Sequence, residues 1–260
     1  MKNMVWMLRD KPLKDLDSAQ LTLLLLGMVE DKKDQLRSVE DIQFATTLAA
    51  HLHSGQTRSN RANFPRTPYI EHPLRNTIRV MRWGCYSQAI ITACILHDVV
   101  EDSAEGIYTL IHHTEPPAGM SEDDLRDVAI QFIEDRFGTM VASIVLDVSN
   151  GILPKETTRA ERHVIYREHV AEVIHDNPAV FLVKLSDFVD NAVGLYHNNI
   201  EINRKRVSVL AGKYLPLIEV FRKELYNLRD KLEISGEAFA QIEEHLNDAE
   251  NRLTMLVNQK

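Results

Sequence analysis

Apolar residues recur along this chain at three- and four-residue spacing, and no stretch sustains a strict apolar-polar alternation. The first pattern lines one face of a helix, whereas the second would line one face of a strand, so an all-α fold is expected. Ser38-Val39-Glu40-Asp41 reads as a capping box opening a helix that carries Ile42, Ala45, Leu48, Ala49 and Leu52 to Gly55. Residues 1–33 read as one or two helices, with Asp17 or Ser18 as a cap and residues 21–29 as a packed face. Ser121 caps a helix that reaches Phe137-Gly138. Residues 201–232 read as helix interrupted at Gly212 and Pro216, and a final amphipathic helix over residues 235–257 repeats Phe239, Ile242, Leu246, Ala249, Leu253 and Leu256. Between them lie two polar stretches: residues 103–120, which read as a mobile lid, and residues 149–158, a second loop.

Two apolar runs break on titratable groups, residues 89–100 (AIITACILHDVV) and residues 179–191 (AVFLVKLSDFVDN). The first predicts one continuous buried helix in which His97 and Glu101, and Asp98 and Asp102, stack at i, i+4. An isolated charge is costly there, so His97-Asp98 must be paired or bound to a metal. A second His-Asp pair, His175-Asp176, runs into Asn177-Pro178 and reads instead as a helix ending in a turn. His72 precedes Pro73, whose fixed φ suits a first helical turn, so its imidazole would project from a helix entrance. Taken singly, each of these groups reads equally well as a buried or capping residue. Two His with two Asp and no Cys suit Mn²⁺, Fe²⁺ or catalytic Zn²⁺ with open positions, rather than a closed structural zinc site.

In order along residues 45–195 stand His53-Ser54-Gly55-Gln56-Thr57-Arg58, Tyr69-Ile70-Glu71-His72-Pro73, His97-Asp98-Val99-Val100-Glu101-Asp102, Phe137-Gly138, and Lys184-Leu185-Ser186-Asp187 with Asn191. This ordered set resembles the HD-domain hydrolases of the RelA/SpoT type, which remove the 3′-pyrophosphate of the alarmone (p)ppGpp. The resemblance implies an HD-domain helical bundle over residues 38–200. Residues 1–37 would be an N-terminal helical extension and residues 201–260 a C-terminal one packed on the core, as in a stand-alone small alarmone hydrolase. It further implies Mn²⁺, with Fe²⁺, Co²⁺ or Zn²⁺ as alternatives, held by His72, His97, Asp98 and Asp187. Glu101 and Asp102 would position and deprotonate the attacking water, and Asn191 would fix the substrate near the reacting phosphate. Arg58 would face the nucleotide base with His53 beside the active site, and the products would be GDP or GTP plus pyrophosphate.

The chain departs from the family pattern in an expanded spacing between Asp102 and Phe137-Gly138 and in two further places. Phe188 stands where the family has Lys or Arg, and Ser59 with a longer 60–68 stretch carrying Arg61 and Arg66 replaces a second base followed by Gly-Glu-Pro-Tyr. Arg61, Lys155 in the second loop and Arg159 just after it are the expected substitute contacts to substrate phosphates, with Arg162 near them. The departures keep a second enzyme reading open, the same metal chemistry on a NADPH 2′-phosphate or a nucleoside monophosphate. A regulatory nucleotide-binding or partner-neutralising protein is a third, which an intact ligand set beside Glu101 disfavours.

Length and composition fit one large domain, or one domain with appendages: 260 residues, 44% hydrophobic and 26% charged. A net charge of −8 argues against nucleic acid or an anionic membrane as partner. Residues 58–82 nevertheless hold six Arg against one Glu, either a solvated basic face or a funnel for a phosphorylated nucleotide. Cys85 and Cys94 lack metal or disulfide spacing, which suits reduced thiols in the cytoplasm. Residues 21–29 are too few to span a bilayer. His112-His113 read as solvated rather than ligating, and the terminal helices offer a face for a homo-oligomer.

Overall fold

The computed structural model describes residues 7–58, 67–197 and 200–258. Among them are twelve α-helices: α1 Ser18–Asp31, α2 Val39–Leu52, α3 Glu71–Arg82, α4 Gln88–Leu96, α5 Val99–His112, α6 Glu122–Phe137, α7 Thr139–Val148, α8 Arg159–Val173, α9 Pro178–Ala192, α10 Ile200–Tyr214, α11 Leu217–Asn227 and α12 Gly236–Asn258. Strands β1 Thr57–Arg58 and β2 Thr67–Pro68 make one antiparallel ribbon, Thr57 facing Pro68 and Arg58 facing Thr67. No helix among the described residues is long and apolar enough to cross a membrane.

Local chemistry starts the helices where the sequence places them. Asp17 accepts from the Gln20 amide, Ser38 from Asp41, Ser121 from Asp124 and Thr158 from Glu161, each satisfying a donor the first helical turn leaves free. Asn177 caps α9 with Pro178 in its first turn, and Asp176 at φ 51° turns the chain between α8 and α9. Gly138, at φ 92°, ends α6 in a conformation that favours glycine.

Helix α4 is apolar on all sides, with every residue from Ile90 to Leu96 buried, and it packs against α2, α3, α7 and α9. Helix α9 lies against α3, α4 and α7 and buries Val180, Phe181, Leu182, Val183 and Leu185. These contacts bring the entrance of α3, the end of α4 and the middle of α9 to one point.

Three expectations change. Residues 89–100 are not one helix: α4 stops at Leu96 and α5 starts at Val99, so His97-Asp98 form the junction rather than a continuous face. Residues 103–112 are helical, not lid, because Ala104 and Ile107 are buried, and a Cβ at Gly106 would meet Leu52 Cδ2 at 3.1 Å. Gly106 therefore marks a close approach to α2, and the polar loop is confined to residues 113–121. Gly212 lies within α10, and the chain breaks only at Leu215-Pro216. The stripe Ala238, Ile242, Leu246, Ala249, Leu253 and Leu256 of α12 is buried against α9, α10 and α11, which is the packing on the core expected of the C-terminal extension.

Candidate metal centre

Three segments deliver the expected ligands. His72 comes from the first turn of α3, His97 and Asp98 from the α4–α5 junction, and Asp187 from α9. The ligand atoms of His72, His97 and Asp187 all lie within 4.8 Å of one another. Asp187 Oδ1 is 3.0 Å from His72 Nε2 and 3.8 Å from His97 Nε2, while Asp98 Oδ2 is 3.4 and 3.1 Å from the same two nitrogens.

The remote ring nitrogens decide what the near ones offer. His97 Nδ1 lies 2.8 Å from the Cys94 carbonyl oxygen, and His72 Nδ1 lies 2.8 Å from Asp190 Oδ2. Both partners accept, so each Nδ1 carries a proton and each ring turns Nε2 inward, where Asp98 and Asp187 favour a proton or, in its place, a cation bound by the Nε2 lone pair. The two Nε2 atoms stand 3.3 Å apart. Two lone pairs and two carboxylates aimed at one point repel unless a cation lies among them, which is the donor chemistry of a divalent metal site. The electrostatics agree. Burial lowers the His97 pKa, but Asp98 and Asp187 overcome it and raise it well above the ordinary value. Burial raises the Asp187 carboxyl, and hydrogen bonds from His72 and His97 pull it well below. The centre attracts positive charge.

Around this set the other expected residues separate into those brought in and those left outside. Glu101 is half-buried one turn into α5, where its carboxylate accepts from the Asn150 amide at 2.7 Å and the Asn150 side chain at 3.0 and 3.1 Å. Burial, reinforced by Asp98, raises its pKa despite those bonds. Asp102 stands at the solvent edge, its pKa raised by partial desolvation and then by Asp98. Asn191 donates to Asp187 Oδ1 at 2.6 Å and accepts from Arg58 Nη2 at 2.5 Å, linking the centre to the ribbon. His53 is buried with Nδ1 on Gln56, its ring 4.7 Å from that of Tyr69, and the Tyr69 hydroxyl donates to Asp98 at 2.7 Å.

Lys155 and Arg159 are exposed and make no hydrogen bond or ion pair with the centre. Arg61 and Arg66 lie outside the described residues. Phe188 is 1% exposed and packs its ring against Phe221 and Tyr214 as a core residue. His112 and His113 are exposed, His112 stacking on Tyr108, and neither joins the ligand cluster.

The arginine run resolves into two uses. Arg75 and Arg79 are buried: Arg75 binds both oxygens of Asp190 at 2.8 and 3.1 Å and Glu71 at 3.1 Å, and Arg79 binds Asn76, Ser186 and Asp190. Arg82 donates to the Arg9 and Lys11 carbonyls. These three are architectural, and of the described arginines in that run only Arg58 retains the substrate-facing assignment. Asp190 closes the last motif but its part was not foreseen, nor were those of Asn150 and Lys14. A buried carboxylate one turn from a ligand is a signal that could have flagged Asp190; nothing in the local sequence points to the other two.

Beside the centre, on the Asn191 side, is a cavity of about 350 Å³ whose wall includes Lys14, Arg58, Arg75, Asp190, Arg206 and Tyr214. Residues from both terminal segments thus line it.

No protein-family model matches the chain. It is 28% identical over 194 residues, 75% of its length, to the guanosine-3′,5′-bis(diphosphate) 3′-pyrophosphohydrolase of Aquifex aeolicus (strain VF5), of which it covers 23%. It is 29% identical over 149 residues, 56% of its length, to a guanosine-3′,5′-bis(diphosphate) 3′-pyrophosphohydrolase of Xenopus tropicalis, of which it covers 65%. Against the GTP pyrophosphokinase of Streptomyces coelicolor it is 27% identical over 195 residues and covers 19%. The chain therefore spans less than two thirds of the length of each of these relatives. Among solved structures it is similar to a metazoan orthologue of SpoT described as hydrolysing ppGpp, with a TM-score of 0.52 and 21% identity over 81% of this chain and 95% of that one. The resemblance carried by the motifs is borne out by these relatives, and the helical fold is that of the metazoan SpoT orthologue.

Proposed function

We propose that this protein is a metal-dependent pyrophosphohydrolase that removes the 3′-pyrophosphate of (p)ppGpp. The observation that carries the reading is the convergence of both Nε2 lone pairs with the carboxylates of Asp98 and Asp187, beside Glu101 and a cation-lined cavity. His72, His97, Asp98 and Asp187 would hold the ion, and their nitrogen and oxygen donors suit Mn²⁺. When bound, the ion supplies Lewis-acid polarisation of the phosphate and of the attacking water.

The protein's own groups do the rest. Glu101, oriented by Asn150 and with its pKa raised by burial, takes the proton of the attacking water, and Asp102 at the rim orders that water. The water oxygen bonds to the phosphorus on the ribose 3′ oxygen, the bond to that oxygen breaks, the oxygen takes a proton, and pyrophosphate leaves. Asn191 and Arg58 hold the nucleotide on one side with His53 behind them, while Lys155, Arg159 and Arg61 act by attracting the polyanion. The free, buried thiols of Cys85 and Cys94 suit a reducing cytoplasm.

A substrate panel with Mn²⁺ present, resolving pyrophosphate from orthophosphate, tests this. We expect pyrophosphate from ppGpp. Orthophosphate from NADPH or a nucleoside monophosphate, with ppGpp untouched, would overturn the substrate while leaving the metal centre as described.

A further inference from the structure

Lys14 precedes α1, far in sequence from the motifs that carry the family resemblance, yet its ammonium enters the cavity beside the metal centre. The short 3-10 turn Leu13–Asp15 places it, anchored by Leu13 and Leu16, which are buried on either side. Lys14 Nζ lies 3.0 Å from the Asp190 carbonyl oxygen and 3.0 Å from Asp190 Oδ2. Its path crosses Gly194, where a Cβ would fall 2.8 Å from Nζ and 3.1 Å from Cε. The glycine is thus a slot cut to the end of this side chain.

Asp190 cannot satisfy all the cations around it. A carboxylate offers about four lone-pair sites, and here Arg75, Arg79 and His72 already occupy both oxygens. Lys14 keeps a third N–H, Arg58 Nη1 is buried without a hydrogen-bond acceptor at 3.6 Å from Asp190, and Arg206 stands exposed at the cavity rim. Desolvation lowers the Lys14 pKa to about 7, opposed by Asp190, so the ammonium is only partly compensated where it sits. Spare donors on three cations facing one polar cavity call for an anionic ligand.

We propose that Lys14 is a specificity-determining residue that, with Arg58 and Arg206, binds a phosphate group of the nucleotide other than the one undergoing hydrolysis. The inference rests on the nucleotide-hydrolase reading above and deepens it. It also supplies the cation that Phe188 does not, from the opposite end of the chain.

Two substitutions test it without touching the metal ligands. Lys14→Met removes the charge; Gly194→Ala leaves the charge but pushes the flexible end of Lys14 out of its slot, at a position where alanine has an allowed backbone. With Mn²⁺ present, KM for ppGpp should rise about tenfold or more in each variant, with kcat within about twofold. Titration of wild type and both variants with ppGpp and with guanosine 3′-diphosphate, in the Glu101→Gln background that stops turnover, should show the loss for ppGpp only. The double variant should be no weaker than Lys14→Met alone, since both changes remove one contact. Equal ppGpp affinity in wild type and Lys14→Met, equal losses for both nucleotides, or additive effects in the double variant would each overturn the inference. Failure of wild type to bind or hydrolyse ppGpp would instead overturn the parent reading.

Discussion

Asp190 has no exposed side-chain surface, yet it touches His72, Arg75, Arg79 and Lys14. Burial alone would raise its carboxyl, but Arg75, Lys14 and His72 outweigh that and hold it well below the ordinary range. Removing the charge leaves buried guanidinium groups without their partner, so Asp190→Asn should cost on the order of 3–5 kcal/mol at neutral pH. The sign follows from the depressed folded pKa: the stabilisation is complete above the unfolded value of about 3.9 and is lost as pH falls from there through the folded value. Urea unfolding of both proteins as a function of pH should therefore show a gap that narrows below about pH 4. A gap that widened in acid would sink the assignment. Because Asp190 also fixes the Nδ1 proton of His72, the same residue sets which nitrogen faces the metal centre.

Helix α4 does at the element scale what Asp190 does at the residue scale. Its apolar faces hold α2, α3, α7 and α9, and its end presents His97. Ile91 is fully buried in it, so Ile91→Ala should cost about 2–5 kcal/mol. Since α3 and α9 carry the other ligands, the cavity should also loosen the convergence, and a Co²⁺ titration should read weaker metal binding together with the loss of stability. Unchanged Co²⁺ affinity at the lower stability would show that the centre is held by the Asp190 network without help from α4. The break at His97-Asp98 belongs to the same scale. Turning between α4 and α5 places His97 Nε2 and Asp98 Oδ2 3.1 Å apart at one point, whereas a continuous helix would have aimed the neighbours in different directions.

For the whole molecule, the centre is a junction of three segments far apart in sequence, so a bound ion ties them together in the folded state and has no comparable site in the unfolded chain. At a free Mn²⁺ concentration about a hundredfold above its Kd, stabilisation of about 2.7 kcal/mol is expected. Melting with Mn²⁺ should accordingly give a higher Tm than melting with chelator, and Asp187→Ala should melt at the same temperature in both. A Tm indifferent to chelation in the wild type would remove the metal assignment. Terminal segments take part as well: Lys14 and Arg206 line the cavity, and α12 packs its stripe on the core. Any association of copies through the C-terminal helix must therefore use its polar outer face.

The helical class and the caps of α1, α2 and α6 were legible in the sequence, because each depends on spacing within a turn or two, and the short motifs named the four residues, His72, His97, Asp98 and Asp187, that the fold brings to one point. The polar stretch at 103–112 misled for the converse reason: Ala104, Ile107 and the close approach at Gly106 acquire meaning only against Leu52 of α2. The arginine run misled similarly, since charge counting registers cations but not the buried Asp190 and Glu71 that consume them. Asn150 on Glu101, Lys14 over Gly194 and the tautomers of His72 and His97 are pairings between residues brought together by packing. What a residue can do is written in its type and its neighbours along the chain; which partner holds it, and which lone pair it turns inward, depends on distances that exist only once the helices have packed.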